Sequence, residues 1–170
     1  MKKKTFFILI SFISLITITI DQLSKFMVNR IVSFGYSKVI IPNFFSITNA
    51  HNFGAAWSIL WDKKIYIILI TVFAMLLVFF LMFREKEQNK YKSLYYGLLI
   101  GGIIGNLIDR IFLGYVIDFL DFTFFGFNYP IFNISDIAIV VSIILICAEC
   151  FLPGIFHKSQ EEVEVLDFDE

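Results

Sequence analysis

The chain is poor in the side chains on which metal-dependent and nucleophilic enzymes rely. It has two histidines among 170 residues, His51 and His157, and no His-Glu-x-x-His. The topology read below sets the two on opposite sides of a membrane, which excludes a helix-borne zinc site. A serine nucleophile needs a base within reach, and only His51 is available, with no glycine-flanked serine elbow beside it. The two cysteines, Cys147 and Cys150, form one C-x-x-C near the expected cytoplasmic end of a helix. In that reducing location, with no second pair, they read as ordinary helix residues. Charged residues make up 17% of the chain, and no basic stripe exists to hold a nucleic acid. No metal and no cofactor is required by anything in the pattern.

The sequence is instead dominated by hydrocarbon. It is 58% hydrophobic and 18% aromatic, with 22 phenylalanines, and its mean hydropathy is +0.80, far from a soluble domain. Four stretches, roughly 5–28, 64–83, 93–113 and 134–153, are long and apolar enough to cross a core of about 30 Å. The first begins Lys2-Lys3-Lys4 and runs apolar to Ile20, which is also the layout of a secretory signal peptide. The following Asp21-Gln22-Leu23-Ser24-Lys25 offers no small-x-small cleavage site, so the stretch is read as an uncleaved helix. Residues 1–156 are expected to form one transmembrane domain. The tail, 157–170, with six acids in its last ten residues, is expected to be disordered.

Lys and Arg in short loops set the orientation. Three lysines precede the first span, and Arg84, Lys86, Lys90 and Lys92 lie between the second and third, so both segments are assigned to the cytoplasm. The segment from Gly114 to Asn133 has neither residue type and is assigned to the outside. Lys25, Arg30, Lys38, Lys63 and Lys64 oppose this assignment. Both termini are then cytoplasmic. Between the first two spans, Lys38-Val39-Ile40-Ile41-Pro42 and Phe44-Phe45-Ser46-Ile47-Thr48 are strand-like and broken by Pro42-Asn43. The expected fold is an all-α membrane protein of four transmembrane helices with a small extracytoplasmic β-sheet between helices one and two, at about 34–62. Trp57 and Trp61 suit the interface belt. Gly97, Gly101 and Gly105 recur at every fourth position of the third span, with Gly102 beside them, and read as a smooth packing face.

Two aspartates, Asp118 and Asp136, lie eighteen residues apart within Val116-Ile117-Asp118-Phe119 and Phe132-Asn133-Ile134-Ser135-Asp136-Ile137. Carboxylates set in hydrocarbon mark a functional site. Each also has a plain structural reading. Asn133 and Asp136 fit the N-cap and third residue of a helix, and Asp118 and Asp121 fit a loop surface. Capping alone does not explain how many polar residues reach the same level. Asn106, Asp109 and Arg110 share one face at the end of the third span, and Asp21 and Lys25 share one near the end of the first. Asp109 with Arg110, or Asp21 with Lys25, fits an ion pair.

Five blocks, Asp21-Gln22-Leu23-Ser24-Lys25, Asn52-Phe53-Gly54-Ala55-Ala56-Trp57, Gly101 through Arg110, Val116-Ile117-Asp118-Phe119 and Phe132-Asn133-Ile134-Ser135-Asp136, resemble in order and spacing those of the lipoprotein signal peptidases, signal peptidase II. The resemblance covers nearly the whole chain apart from the tail. It implies an aspartic endopeptidase of the bacterial plasma membrane that removes signal peptides from prolipoproteins, cutting just before a diacylglyceryl-modified cysteine. By motif Asp118 and Asp136 are catalytic. Asn52, Gly54, Asn106, Arg110 and Asn133 match substrate-pocket positions, and Asp21, Lys25 and Asp109 supporting ones. Diacylglyceryl prolipoproteins and membrane lipids are the implied partners, and the peptide antibiotics globomycin and myxovirescin the implied inhibitors. Ser135 departs from the family, which usually has alanine there.

Two other classes fit a pair of membrane carboxylates less well. A proton-coupled carrier predicts helix breaks or pseudo-repeats near the bilayer middle, and neither is evident. A non-catalytic assembly factor leaves the convergence of polar groups unexplained. The Gly-x-Gly-Asp motif of presenilin-type and prepilin peptidases is missing.

Overall fold

The computed structural model describes residues 1–54 and 63–152. Trp57 and Trp61, Ala55 and Ala56 of the second block, His157 and the acidic tail lie outside the described residues. Four helices are each long and apolar enough to cross a membrane: α1 (Lys3–Ile31), α2 (Lys64–Arg84), α3 (Lys90–Phe112) and α4 (Ile134–Phe151). At about 1.5 Å per residue, α1 is about 43 Å long and exceeds a hydrocarbon core of about 30 Å.

Toward the sheet the helices are joined by small residues and polar contacts, as lipid offers no hydrophobic drive between them, whereas Phe6, Ile10, Met82, Tyr95, Tyr96 and Ile100 of α1, α2 and α3 form an apolar cluster. Large side chains such as Leu15, Phe73 and Ile144 point outward. The buried stripe of α1 is Phe6, Ile10, Ser14, Thr17, Asp21, Lys25 and Val28, a three-and-four spacing that is one helix face. The stripe begins apolar and ends charged. It packs on α3, the most enclosed of the four helices, whose Gly97 lies against Ile13, Gly101 against Ser14 and Thr17, and Gly105 against Asp21. The Ser14 hydroxyl donates to the Gly97 carbonyl at 3.0 Å. On its other side α3 meets α4 at Gly102, where an added Cβ would stand 2.6 Å from the Ser135 carbonyl oxygen. The glycine face expected from the sequence is therefore a contact with two helices, not one.

A four-stranded antiparallel sheet, in the order β1 (Ser37–Ile41), β2 (Phe45–Asn52), β3 (Val116–Phe124) and β4 (Phe127–Asn128), completes the fold. The sequence pattern predicts a sheet between the first two helices and a loop from Gly114 to Asn133. Half the strands come from that second segment, so "all-α" understates the β content. Asn43, with φ of 57°, makes the β1–β2 turn, and Gly114, with φ of 91°, ends α3. Asn49 interrupts the β2–β3 register and is fully buried. Its amide donates to the Val32 carbonyl at 2.8 Å and the Asn29 side chain at 3.1 Å, tying the sheet to the end of α1. The entry to α4 is fixed in the same way. Phe132 pairs with Leu120, and its carbonyl accepts from the backbone of Phe119 and Leu120, so β3 runs between β2 and the residue that leads into α4.

Candidate active site

That arrangement of β3 brings the two aspartates together. Asp118 pairs across the sheet with Ala50 and is 4% exposed. Its Oδ2 accepts from Asn52 Nδ2 at 3.0 Å and its Oδ1 from Asn133 Nδ2 at 2.7 Å. Asp136 is half-buried in the first turn of α4. Its Oδ1 accepts from Asn106 Nδ2 at 2.8 Å and its Oδ2 from the Asn133 backbone N–H at 3.1 Å, while Asn133 Oδ1 accepts from the Asp136 N–H at 3.0 Å. The reciprocal capping box expected from the helix start is present. It accounts for one oxygen of Asp136 and leaves the Asn106 contact and the whole of Asp118 unexplained. Asn133 serves both carboxylates and is fully buried.

Burial, and after it the charge of Asp136, push the Asp118 carboxyl from the ordinary 3.8 up to about 7; hydrogen bonds from Asn52 and Asn133 and the ammonium of Lys25 oppose the rise. A carboxyl so placed carries its proton for much of the time at neutral pH, and paired carboxylates with this property are what general acid-base chemistry requires.

Beneath the pair lies a charged cluster. Lys25, 2% exposed, places Nζ 2.7 Å from Asp21 Oδ2 and 2.9 Å from Asp109 Oδ2, and donates to Asn106 Oδ1 at 3.1 Å. Asp21 also accepts from the Ser135 backbone N–H at 2.9 Å, and Asp109 from that of Ile117 at 3.2 Å. Two carboxylates thus tie one ammonium to the starts of α4 and β3. Of the two ion pairs weighed from the sequence, Asp21 with Lys25 forms. Asp109 turns to Lys25, and Arg110 donates to the carbonyls of Asn106 and Gly54 at 3.3 and 3.2 Å. Gly54 returns its N–H to Asn52 Oδ1 at 2.9 Å, so Arg110 and Asn52 hold one turn of chain beside Asp118.

All ten site residues expected from the sequence therefore meet in one network. Asp121 does not join it and accepts from Thr48 at 2.6 Å on the sheet. Gln22 was not singled out, yet its amide reaches Asp109 at 3.0 Å and Asp21 and the Gly105 carbonyl at 3.2 Å. Its place in the Asp21-to-Lys25 block, on the face toward α3, was the available signal. His51 lies in an aromatic stack, 4.0 Å from Phe34 and 3.8 Å from Tyr115 between centroids, and burial lowers its pKa. Among the described residues no three His, Cys, Asp or Glu side chains are grouped as a metal site requires.

Membrane-length helices with a sheet set against a buried polar centre define a class of multi-pass membrane protein, and the same fold occurs in two solved structures, each described as a bacterial membrane enzyme. One, at 2.3 Å resolution, matches with a TM-score of 0.76 and 32% identity over 88% of this chain and 90% of its own. The other, at 1.9 Å, matches with 0.75 and 33% over 83% and 91%. The lipoprotein signal peptidases of Staphylococcus aureus strains JH9 and Newman are each 34% identical over 164 residues, 96% of this chain and 100% of theirs. The family model for signal peptidase (SPase) II matches residues 13–152. The chain belongs to the signal peptidase II family, and it is a membrane protease.

Proposed function

We propose that this protein removes signal peptides from diacylglyceryl-modified prolipoproteins, cutting just before the lipidated cysteine, with water activated between Asp118 and Asp136. The observation that carries the reading is the pair itself: two carboxyls bridged by Asn133, one of them with its pKa raised to about 7. Such a pair shares one proton and binds a water between its members. Asp136 takes the role of base, because the start of α4 and the Asn133 N–H favour its charge. It accepts a proton as the water attacks the scissile carbonyl. Asp118 supplies its proton to the developing oxyanion. As the tetrahedral diol collapses, the leaving amine takes the proton from Asp136 and Asp118 takes back a proton from a diol hydroxyl, so the acid's carbonyl forms and the pair again holds one proton. No cofactor enters this scheme.

The positions of the groups suit a lipidated substrate. The site lies where α1 and α3 end, α4 begins and the sheet is set against them, while the Lys- and Arg-rich segments lie at the other end of the helices. With the termini and that end in the cytoplasm, the site faces outward at the level of the outer leaflet, where the diacylglyceryl group remains in lipid and the peptide crosses beneath the sheet. In this reading residues 1–156 act as one peptidase domain, and globomycin and myxovirescin occupy the peptide path. Mass analysis of a diacylglyceryl-prolipoprotein treated with the purified protein tests it. The expected product begins at the lipidated cysteine and is absent when globomycin is added. Cleavage at another bond, or cleavage indifferent to the antibiotic, contradicts the substrate assignment.

A further inference from the structure

Three amide side chains offer their NH2 groups to the two carboxylates, and an amide does this only if its oxygen faces elsewhere. For Asn52 the oxygen is held by the Gly54 N–H at 2.9 Å, and for Asn133 by the Asp136 N–H at 3.0 Å. Both anchors are backbone, which no substitution at a single side chain removes. Asn106 differs. Its Oδ1 accepts from Lys25 Nζ and from Asn133 Nδ2, each at 3.1 Å, while its Nδ2 donates to Asp136 at 2.8 Å. An ammonium has three donors and no acceptor. It tolerates the amide oxygen and repels the amide nitrogen.

We infer that Lys25 is a positioning residue for the reaction: held in place by Asp21 and Asp109, it fixes which way the Asn106 amide points and so keeps a donor, never an acceptor, on Asp136. This rests on the proposed dyad and adds to it a polarity set from the far side of α3. The cluster is well made for the task. Lys25 is 2% exposed and its two carboxylate contacts are 2.7 and 2.9 Å, so the ammonium cannot leave Asn106 for water. Asp21 also fixes the Ser135 N–H at 2.9 Å, one residue before Asp136, which sets the height of that carboxylate against the same amide. Without Lys25 the Asn106 oxygen keeps only Asn133 Nδ2, a donor it shares with Asp118, and the amide is far freer to turn over. Its oxygen then faces Asp136 and favours the protonated form of the intended base.

Removing Lys25 alone leaves two buried carboxylates unpaired and endangers the fold. The test therefore uses the balanced variant Lys25→Met with Asp21→Asn and Asp109→Asn. The new amides keep acceptors for the Ser135 and Ile117 N–H groups. The expected variant unfolds at a temperature close to wild type, keeps KM, and loses roughly 10- to 100-fold in kcat, less than the roughly 10²- to 10³-fold of deleting a donor at the reacting charge outright, because Asn106 itself remains. Its pH-rate profile moves, because the amide beside Asp136 is no longer held with its donor toward the carboxylate and one cation and two carboxylates facing the pair lose their charge. The charged groups facing Asp118 and Asp136 are Lys25 and Asp21 from α1, Asp109 and Arg110 from α3, and each other from β3 and α4; Asn52 of β2 is uncharged. Wild-type kcat and an unmoved profile in the balanced variant overturn the inference, since a purely structural cluster is then replaceable.

If the balanced variant does not fold, Lys25→Arg and Lys25→Gln carry the same comparison, each first shown to be folded by thermal unfolding because glutamine leaves Asp21 and Asp109 without their cation. Arginine only donates and is expected to keep much more of kcat than glutamine, whose amide also accepts; equal losses overturn the inference. Asp136→Asn assayed alongside separates the two failures. An active Asp136→Asn removes the dyad reading itself, whereas an inactive one beside a fully active balanced variant removes only the role of Lys25.

Discussion

Replacing Asp118 by asparagine should alter stability in a way that depends on pH. The carboxyl moves from 3.8 when exposed to about 7 in the folded chain, so folding favours its protonated form. The contribution is complete below pH 3.8 and is lost as pH rises through 7. At about 1.36 kcal/mol per pH unit, the ionised group costs the folded state on the order of 4 kcal/mol above pH 7. Little of this is relieved by solvent, because Asp118 is 4% exposed. Asparagine removes the titration but sets its own NH2 against the donor of Asn52 or of Asn133, a loss of about 1–3 kcal/mol that does not vary with pH. The absolute effect at one pH is thus a small difference of two terms, whereas its slope is informative. Unfolding of detergent-solubilised wild type and Asp118→Asn, followed from pH 4 to pH 8, should show the variant gaining about 4 kcal/mol on the wild type, mostly between pH 4 and pH 7. A constant difference across that range refutes the burial argument for Asp118.

Other consequences follow from the same geometry. Wild-type kcat should decline on the alkaline side with an apparent pKa near 7, belonging to the pair rather than to either member; a rate still rising at pH 9 contradicts a proton held by Asp118. Gly102→Ala places a methyl 2.6 Å from the Ser135 carbonyl oxygen, and because backbone must move, α4 shifts and carries Asp136 with it. About 1–3 kcal/mol of stability is expected to be lost, together with most activity, as read by thermal unfolding and turnover. Arg110→Ala frees the Gly54 carbonyl and should raise KM for the lipidated substrate more than it lowers kcat; unchanged apparent affinity contradicts a role for Arg110 in holding the substrate path.

Much of this architecture is legible in the sequence because it obeys strong local rules. Twenty or more apolar residues in a row admit few structures besides a membrane helix, and α4 begins at Ile134 after the Asn133 cap, as its capping pattern requires. The strand β3 was harder to see. Val116 to Phe124 is β-branched and aromatic and lies between Gly114 and Gly126, a strand pattern, but Asp118 and Asp121 within a segment lacking Lys and Arg made it read as outer loop. The partner of Asp118 at Ala50 lies far off in sequence, and non-local strand pairing leaves little local trace. The same holds for charges. Asp21 and Lys25 are one turn apart on α1, so their pairing is predictable, whereas the turn of Asp109 toward Lys25, away from adjacent Arg110, depends on how α1 and α3 approach through Gly101 and Gly105. Which end of the Asn106 amide faces Asp136 is likewise set by a third residue on another helix.

The central claim is that Asp118 and Asp136 together perform the hydrolysis. The most direct measurement is single-turnover cleavage of a diacylglyceryl-prolipoprotein by wild type, Asp118→Asn and Asp136→Asn, each first shown to be folded by thermal unfolding. The account predicts cleavage by wild type and a loss of roughly 10³-fold or more in both variants. Near-wild-type cleavage by either folded variant would contradict it.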